Sequence, residues 1–356
     1  MQLADLGADV IKVERPGSGD DTRAWGPPWA ADGTSTYYLG LNRGKRSVVL
    51  DLDDPDDLEL ARRLSCRADV LIENFRPGLM DSLGLGFEEL SESNQRLVYC
   101  SITGFGGEGG AALPGYDLLI QAMSGIMSIT GTSPDSPTKV GAAIADMVAG
   151  LYATIGVVAA LHRRTTTGVG ERVEVSLFDA ALNALLNQGS AFLNTGVIPE
   201  AQGNRHPSIA PYEVFHASDR KFVLAAANDK LWQATCSAIG RPDLAGDERF
   251  STNAGRRVNV ETLVAELNTT FATKPAGHWI GELHAAGVPA GPINRIDEAF
   301  DWAIDAGLDP IIEDTGVRVV RPPIQLDGVT AMSPLPPPDL DQHGQEVRDW
   351  LAQDER

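Results

Sequence analysis

Within residues 141–164, GAAIADMVAGLYATIGVVAALHRR, Asp146 is the one carboxylate in an almost wholly apolar run. A carboxylate placed there has two readings. As an early polar group of a helix it caps the backbone, accepting N–H bonds that the first turn leaves unmatched. As a buried carboxylate kept ionised by the helix N-terminal field, it is a nucleophile whose adducts are sheltered from water. The residues alone leave both open. Asp135, in TSPDSP, lies in a Pro/Ser turn where a solvated Asp is ordinary.

Other clusters carry residue types suited to anions. RPGSGDDTR follows a β-branched run ending at Glu14 and offers Arg15 and Arg23, and it reads equally as an anion site or as a surface turn. LNRGKRS stacks Arg43, Lys45 and Arg46 ahead of another such run and reads better as a solvated turn. GFGGEGG matches G-x-G-x-x-G at Gly104, Gly106 and Gly109 but lacks the Walker lysine and serine, so the match is weak. Cys66, Cys100 and Cys236 have no CxxC spacing, and His206, His216, His278 and His284 form no zinc pattern, so no metal is expected.

Those residues must be positioned by a scaffold that 356 residues, 43% of them hydrophobic, can build around a large core, in two domains by length. The net charge of -20, without blocks of like charge, argues against nucleic acid and anionic membranes as partners. Reduced cysteines and the lack of a basic-then-apolar leader fit a cytoplasmic location. The run 142–161 is long enough to test as a membrane span, but its small and polar residues predict a buried core helix instead.

Short β-branched strands (Val10–Glu14, RSVVLDL, DVLIENF, NQRLVYCSITGF) alternate with helical stripes such as Leu58, Leu60, Ala61 and Leu64. That alternation predicts βαβ units and a mostly parallel sheet with function at the strands' C-terminal ends. Gly, Pro and Asn gather near NTGVIPEAQGNRHPSIAPY, marking a linker or site loop, and a second unit follows over residues 212–296. A proline-rich tail ends in a short helix.

Eight segments in order, LADLGADVIKVERPGSGDDTR, LNRGKRSVVLDL, ADVLIENFRPG, LVYCSITGFG, GYDLLIQAMSGIMSITG, KVGAAIADMVAGLYA, TGVGERVEVSLFDAAL and GNRHPSIAPYEVF, resemble the class III CoA-transferases, which include formyl-CoA and carnitine CoA-transferases. The resemblance covers nearly the whole chain. It implies an α/β fold: a Rossmann-like large domain with a mostly parallel sheet (1–200), a smaller α+β domain (201–310) and a C-terminal segment (311–356) returning to the first, in an interlocked ring homodimer. It makes Asp146 the catalytic aspartate, with Tyr116 standing 30 positions before it and, beside Asp117, framing the acyl group. It assigns Arg15 to the CoA phosphates, Leu50 to the adenine pocket, Asn74 and Phe75 to the pantetheine arm, and Asn204 and His206 to the substrate.

The implied reaction passes CoA from an acyl-CoA donor to a carboxylic acid acceptor through a mixed anhydride and a thioester on Asp146, with no cofactor beyond CoA itself. Two other readings stand beside it: an α-methylacyl-CoA racemase, which has histidine where Tyr116 stands, and a non-catalytic CoA-binding protein. Members usually begin with a strand and loop ahead of the MQLADLG helix, so the resemblance also implies a sheet lacking its first strand. GNRHPSIAPY offers only Gly203 where formyl-CoA transferase has a glycine run over the intermediate.

Overall fold

The computed structural model describes residues 1–313 and 317–353, so residues 314–316 and 354–356 of the expected C-terminal segment lie outside the described residues. The chain groups into two units. Met1–Ser124, Gly141–Gly189 and Ala306–Arg356 form the first; Gly125–Val140 and Ser190–Asp305 form the second. The stretch Gly125–Val140, inside the 1–200 segment, is thus grouped with the second unit.

The first unit is α/β with parallel sheets. Strand β1 (Val10–Glu14) pairs in parallel with β2 (Lys45–Val49), Glu14 standing opposite Val49. Strands β3 (Val70–Glu73), β4 (Val98–Thr103) and β5 (Arg172–Ser176) form a second parallel sheet in that order. Parallel neighbours require crossovers. Helix α1 (Pro55–Arg67) instead links the two sheets, running from β2 to β3. Asp54 caps it by accepting the Asp56 and Asp57 N–H groups at 2.9 and 3.2 Å, and Pro55 opens the turn where a missing N–H costs nothing.

Between β4 and β5 lie α2 (Asp117–Met123) and α3 (Ile144–Thr167), and α4 (Leu177–Asn183) follows β5, capped by Ser176. In α3 the residues Ala145, Ala149, Ala153, Val157 and Ala160 recur every three or four positions and are buried. Ala153, Val157 and Ala160 pack on Val98 and Cys100 of β4. Small side chains let the helix sit close: a Cβ on Gly156 would stand 2.7 Å from Val173 of β5. The helix stops at Gly168 in the left-handed conformation, φ +79°.

The expectation of a buried core helix holds for the alanine face and is corrected for the other. Met147, Leu151, Ile155 and Val158, on the face away from the alanines, are 51%, 42%, 62% and 46% exposed. By length and composition alone α3 would also cross a bilayer; one face of it instead packs on the parallel sheet.

In the second unit β6 (Tyr212–His216), β7 (Lys221–Ala225) and β8 (Ala290–Pro292) form an antiparallel sheet. Helices α5 (Asp229–Ala238), α6 (Val260–Phe271) and α7 (Ala276–Ala285) close its core through Trp232, Leu263, Phe271 and Leu283 against Phe215 and Phe222.

The tail covers the open edge of β2. Val49 N–H donates to Asp341 Oδ1 at 2.7 Å, Ser47 N–H to His343 Nδ1 at 3.2 Å, and Arg348 to the Val49 carbonyl at 3.0 Å. Helix α8 (Gly344–Ala352) then places Val347 and Leu351 in the core with Leu50 and Ala61. An edge that would otherwise invite a foreign strand is closed.

Candidate active site

Asp146 is the third residue of α3, not its cap: the N-cap is Ala143, which has no side-chain oxygen to offer. The cap comes from the first turn of α2. Asp117 Oδ1 accepts the Ala145 N–H at 2.8 Å while its Oδ2 accepts from Gln121 Nε2 at 2.6 Å. One carboxylate therefore neutralises the helix N-terminus and leaves the next, Asp146, without a capping duty.

The reading of Asp146 as an N-cap is corrected by this geometry, and so is the expectation that it is buried. The residue is exposed. Local desolvation of its carboxyl, followed by the negative charge of Asp117, still holds its pKa above the ordinary 3.8. In its ionised form, a more basic carboxylate is a better nucleophile than a less basic one. Tyr116 immediately precedes α2 and is 72% exposed.

The sequence reading missed Tyr37. Burial and the charges of Asp146 and Asp117 raise the Tyr37 pKa, which places its phenol in the field of both carboxylates. Tyr37 meets Trp25 edge to face with ring centroids 5.0 Å apart. Together with Gly26, Pro27, Pro28 and Thr36 they line an open cavity of about 420 Å³. The signal was present as a Gly/Pro loop unusually rich in aromatics, WGPPW followed by TYY, and no chemistry had been attached to it.

The glycine run has a steric explanation. A Cβ on Gly115 would lie 2.4 Å from Gly104 Cα, and the reverse contact would be 2.6 Å. The chain leaving β4 touches the chain entering α2, backbone on backbone, and this close approach delivers Tyr116 and Asp117 to the start of α3. Of the three positions in the G-x-G-x-x-G match, only Gly104 makes that contact.

The residues assigned to CoA sit at strand ends, where an α/β ligand site belongs. Because Glu14 pairs with Val49, Arg15 and Leu50 leave β1 and β2 side by side. Arg15 is exposed, bonded to Ser18 Oγ at 2.7 Å and paired with Asp21. An exposed pair of this kind exchanges readily for a ligand anion. The Leu50 side chain is only 3% exposed and belongs to the core, so the structure places it away from the surface. Asn74 and Phe75 follow β3, both exposed, with the Phe75 N–H held by Glu73 at 2.8 Å.

Behind Arg15 lies a buried network. Glu14 accepts from Arg23 Nε and Nη2, both at 2.8 Å, from Ser47 Oγ at 2.7 Å and from the Asp20 N–H at 2.9 Å. Arg23 and Tyr38 both donate to the Pro338 carbonyl, tying this loop to the tail. Lys45 bonds Asn42 at 2.9 Å, and burial, then the charge of Lys12, lowers its pKa to about 8.

Asn204 and His206 belong to the second unit. Asn204 is exposed; His206 is half-buried, its ring tilted 55° to that of Tyr212 with centroids 5.1 Å apart. Asp135 is exposed in its turn.

Comparison with known proteins places this geometry in a family. The model of CoA-transferase family III matches residues 1–344. The chain is 42% identical to acetyl-CoA:oxalate CoA-transferase of Acetobacter aceti over 98% of its length and 90% of that protein's. It is 40% identical to succinate–glutarate CoA-transferase of Agrobacterium fabrum over 100% and 92%. A crystal structure of a CAIB/BAIF family protein from Brucella suis matches with TM-score 0.87 at 42% identity, covering 98% of this chain and 93% of that one. On this breadth of agreement the chain belongs to CoA-transferase family III and is an enzyme of CoA transfer.

Proposed function

We propose that the chain transfers CoA from an acyl-CoA to a short dicarboxylic acid through covalent intermediates on Asp146. One observation carries the assignment: Asp117, not Asp146, caps α3, and it leaves beside itself a carboxylate of raised basicity with no structural task. The Asp146 carboxylate attacks the thioester carbonyl; the C–S bond breaks and CoA thiolate leaves a mixed anhydride. The thiolate returns to the aspartyl carbonyl, expelling the donor's carboxylate and forming an aspartyl-CoA thioester. The acceptor carboxylate attacks that thioester, giving a second anhydride and free thiolate. The thiolate then takes the acceptor's acyl group and restores Asp146.

Arg15, Asn74 and Phe75 hold CoA at the strand ends, the two parallel sheets acting as a Rossmann-like frame. Tyr116 frames the acyl group. The acceptor class follows the names of the two relatives, each of which carries a dicarboxylic acid, oxalate in one and succinate with glutarate in the other. The active form is a homodimer. Exposed apolar residues on α3, with Leu118 at 55% and Met123 at 50% on α2, support a partner seated there, and such a partner would exclude the water that hydrolyses anhydrides.

Hydroxylamine added during turnover tests the route. It should convert the activated aspartyl group to a hydroxamate, about 15 Da heavier, on the peptide holding Asp146. An active preparation that acquires no label would exclude the anhydride path.

A further inference from the structure

We propose that Gln121 is a positioning residue for CoA transfer: its buried amide donates to Asp117 and so holds that carboxylate on the N-terminus of the helix that carries the nucleophile. That role rests on the reading of Asp146 as the nucleophile; the bond itself does not. Gln121 Nε2 donates to Asp117 Oδ2 at 2.6 Å, while Asp117 Oδ1 accepts the Ala145 N–H at 2.8 Å.

Spacing and burial explain the pair. Residues 117 and 121 stand four apart on α2, so the helix sets both side chains on one face. Gln121 is fully buried, and a buried amide is costly unless its hydrogen bonds are made. A carboxylate only accepts, so the amide presents its NH2 group to Asp117. Two bonds in different directions, one along α2 and one across to α3, leave the carboxylate no freedom to turn.

The chemical type of the donor matters as much as its place. Desolvation, and after it the charge of Asp117, raises the Asp146 pKa. A lysine or arginine at position 121 would fix Asp117 but cancel its charge. An amide is neutral, so it orients Asp117 and leaves the field on Asp146 undiminished.

The test follows kcat/KM for succinyl-CoA against pH, with glutarate as acceptor, in the intact chain and its variants. Gln121→Met keeps the side-chain length and removes the donor. Asp117 is then free to turn from the Ala145 N–H and its charge acts less on Asp146. The acid limb should move to lower pH, as for Asp117→Asn, while KM for succinyl-CoA holds. In the Asp117→Asn background the same substitution should move the limb no further. Gln121→Glu keeps the shape. While protonated, the new carboxyl donates to Asp117 as the amide does; once ionised, it repels it. Burial and that repulsion retain the proton at low pH, so this variant should follow wild type there and lose activity as pH rises, an added basic limb.

Lost packing alone would lower the rate evenly across pH. The proposal is therefore overturned if either variant at position 121, folded by its melting curve, keeps the wild-type limbs, or if Gln121→Met moves the acid limb equally in the Asp117→Asn background. Hydroxylamine labelling of the same preparations separates the two readings. A labelled Asp146 peptide with unmoved limbs removes the role of Gln121 alone, whereas an active wild type that takes no label removes the nucleophile on which that role rests.

Discussion

Of the coupled carboxylates Asp146 and Asp117, one has a structural task. Asp117 has both oxygens engaged, one on the Ala145 N–H and one on Gln121, whereas Asp146 receives a negative neighbour and gains basicity. Asp146→Ala should abolish CoA transfer and leave CoA affinity within a few fold, because it removes a nucleophile and no phosphate contact; Asp135→Ala should be silent. Equal losses from both variants would contradict the assignment. Asp117→Asn makes a finer test. Asn still offers an oxygen to Ala145, so the helix stays capped, but the charge is gone. Attack requires ionised Asp146, so the rate falls as pH drops through its raised pKa. Removing the Asp117 charge lowers that pKa, and the acid limb of kcat/KM should move to lower pH. An unmoved limb would show that the two carboxylates are not coupled.

Among the elements, two connections set the site's precision. The Gly104–Gly115 contact brings the exit of β4 against the entry of α2 at a distance no Cβ tolerates. Gly115→Ala should cost about 1–3 kcal/mol, as overpacking does, and should lower kcat by moving Asp117 off the α3 terminus. A variant of normal stability and full activity would show that the segment repacks freely. The second connection is the Glu14 network behind Arg15. Burial pushes the Glu14 pKa up, but donors from Arg23, Ser47 and the Asp20 N–H outweigh it, leaving the net value below the ordinary 4.5. A depressed carboxylate contributes stability that is present above pH 4.5 and is lost as pH falls through the lower folded value. Arg23→Gln removes the ion-pair partner of a carboxylate whose side chain is 1% exposed, leaving it only the Ser47 and Asp20 donors, and should cost about 3 kcal/mol near neutrality, toward the lower end for breaking a buried pair. Denaturant melts at descending pH should show the gap between wild type and variant closing once Glu14 protonates. A gap independent of pH would point to lost packing alone.

For the molecule as a whole, the exposed apolar faces of α2 and α3 underlie the proposal that a partner chain takes part in the function. Ile155 at 62% exposure stands mid-helix among Leu151 and Val158. Light scattering at micromolar concentration should give a dimer. Ile155→Asp should shift the population toward monomer and lower activity in step, since it sets a charge in the proposed apolar interface. A monodisperse monomer that transfers CoA at full rate would remove both the dimer and its role in excluding water.

Local pattern determined much of this protein. The alternation of β-branched runs with capped amphipathic stretches encodes the parallel pairs β1–β2 and β3–β4–β5, because strand propensity, helix capping and apolar period are properties of neighbouring residues. The eight quoted segments pointed to the family, and GYD and IADM marked Asp117 and Asp146 as candidates. Other features arise from contacts across long stretches of chain, and no local period encodes those. Which carboxylate caps α3 was decided by a bond between Asp117 and Ala145, on different helices. Tyr37 entered the carboxylates' field, Leu50 turned into the core, and Gly104 proved to be a backbone contact, for the same reason. The small residues of the 142–161 run predicted burial correctly for one face of α3. The fate of Met147, Leu151 and Ile155 depended on what the fold sets against the other, since apolar residues in sequence say only that a surface seeks cover and not which surface supplies it.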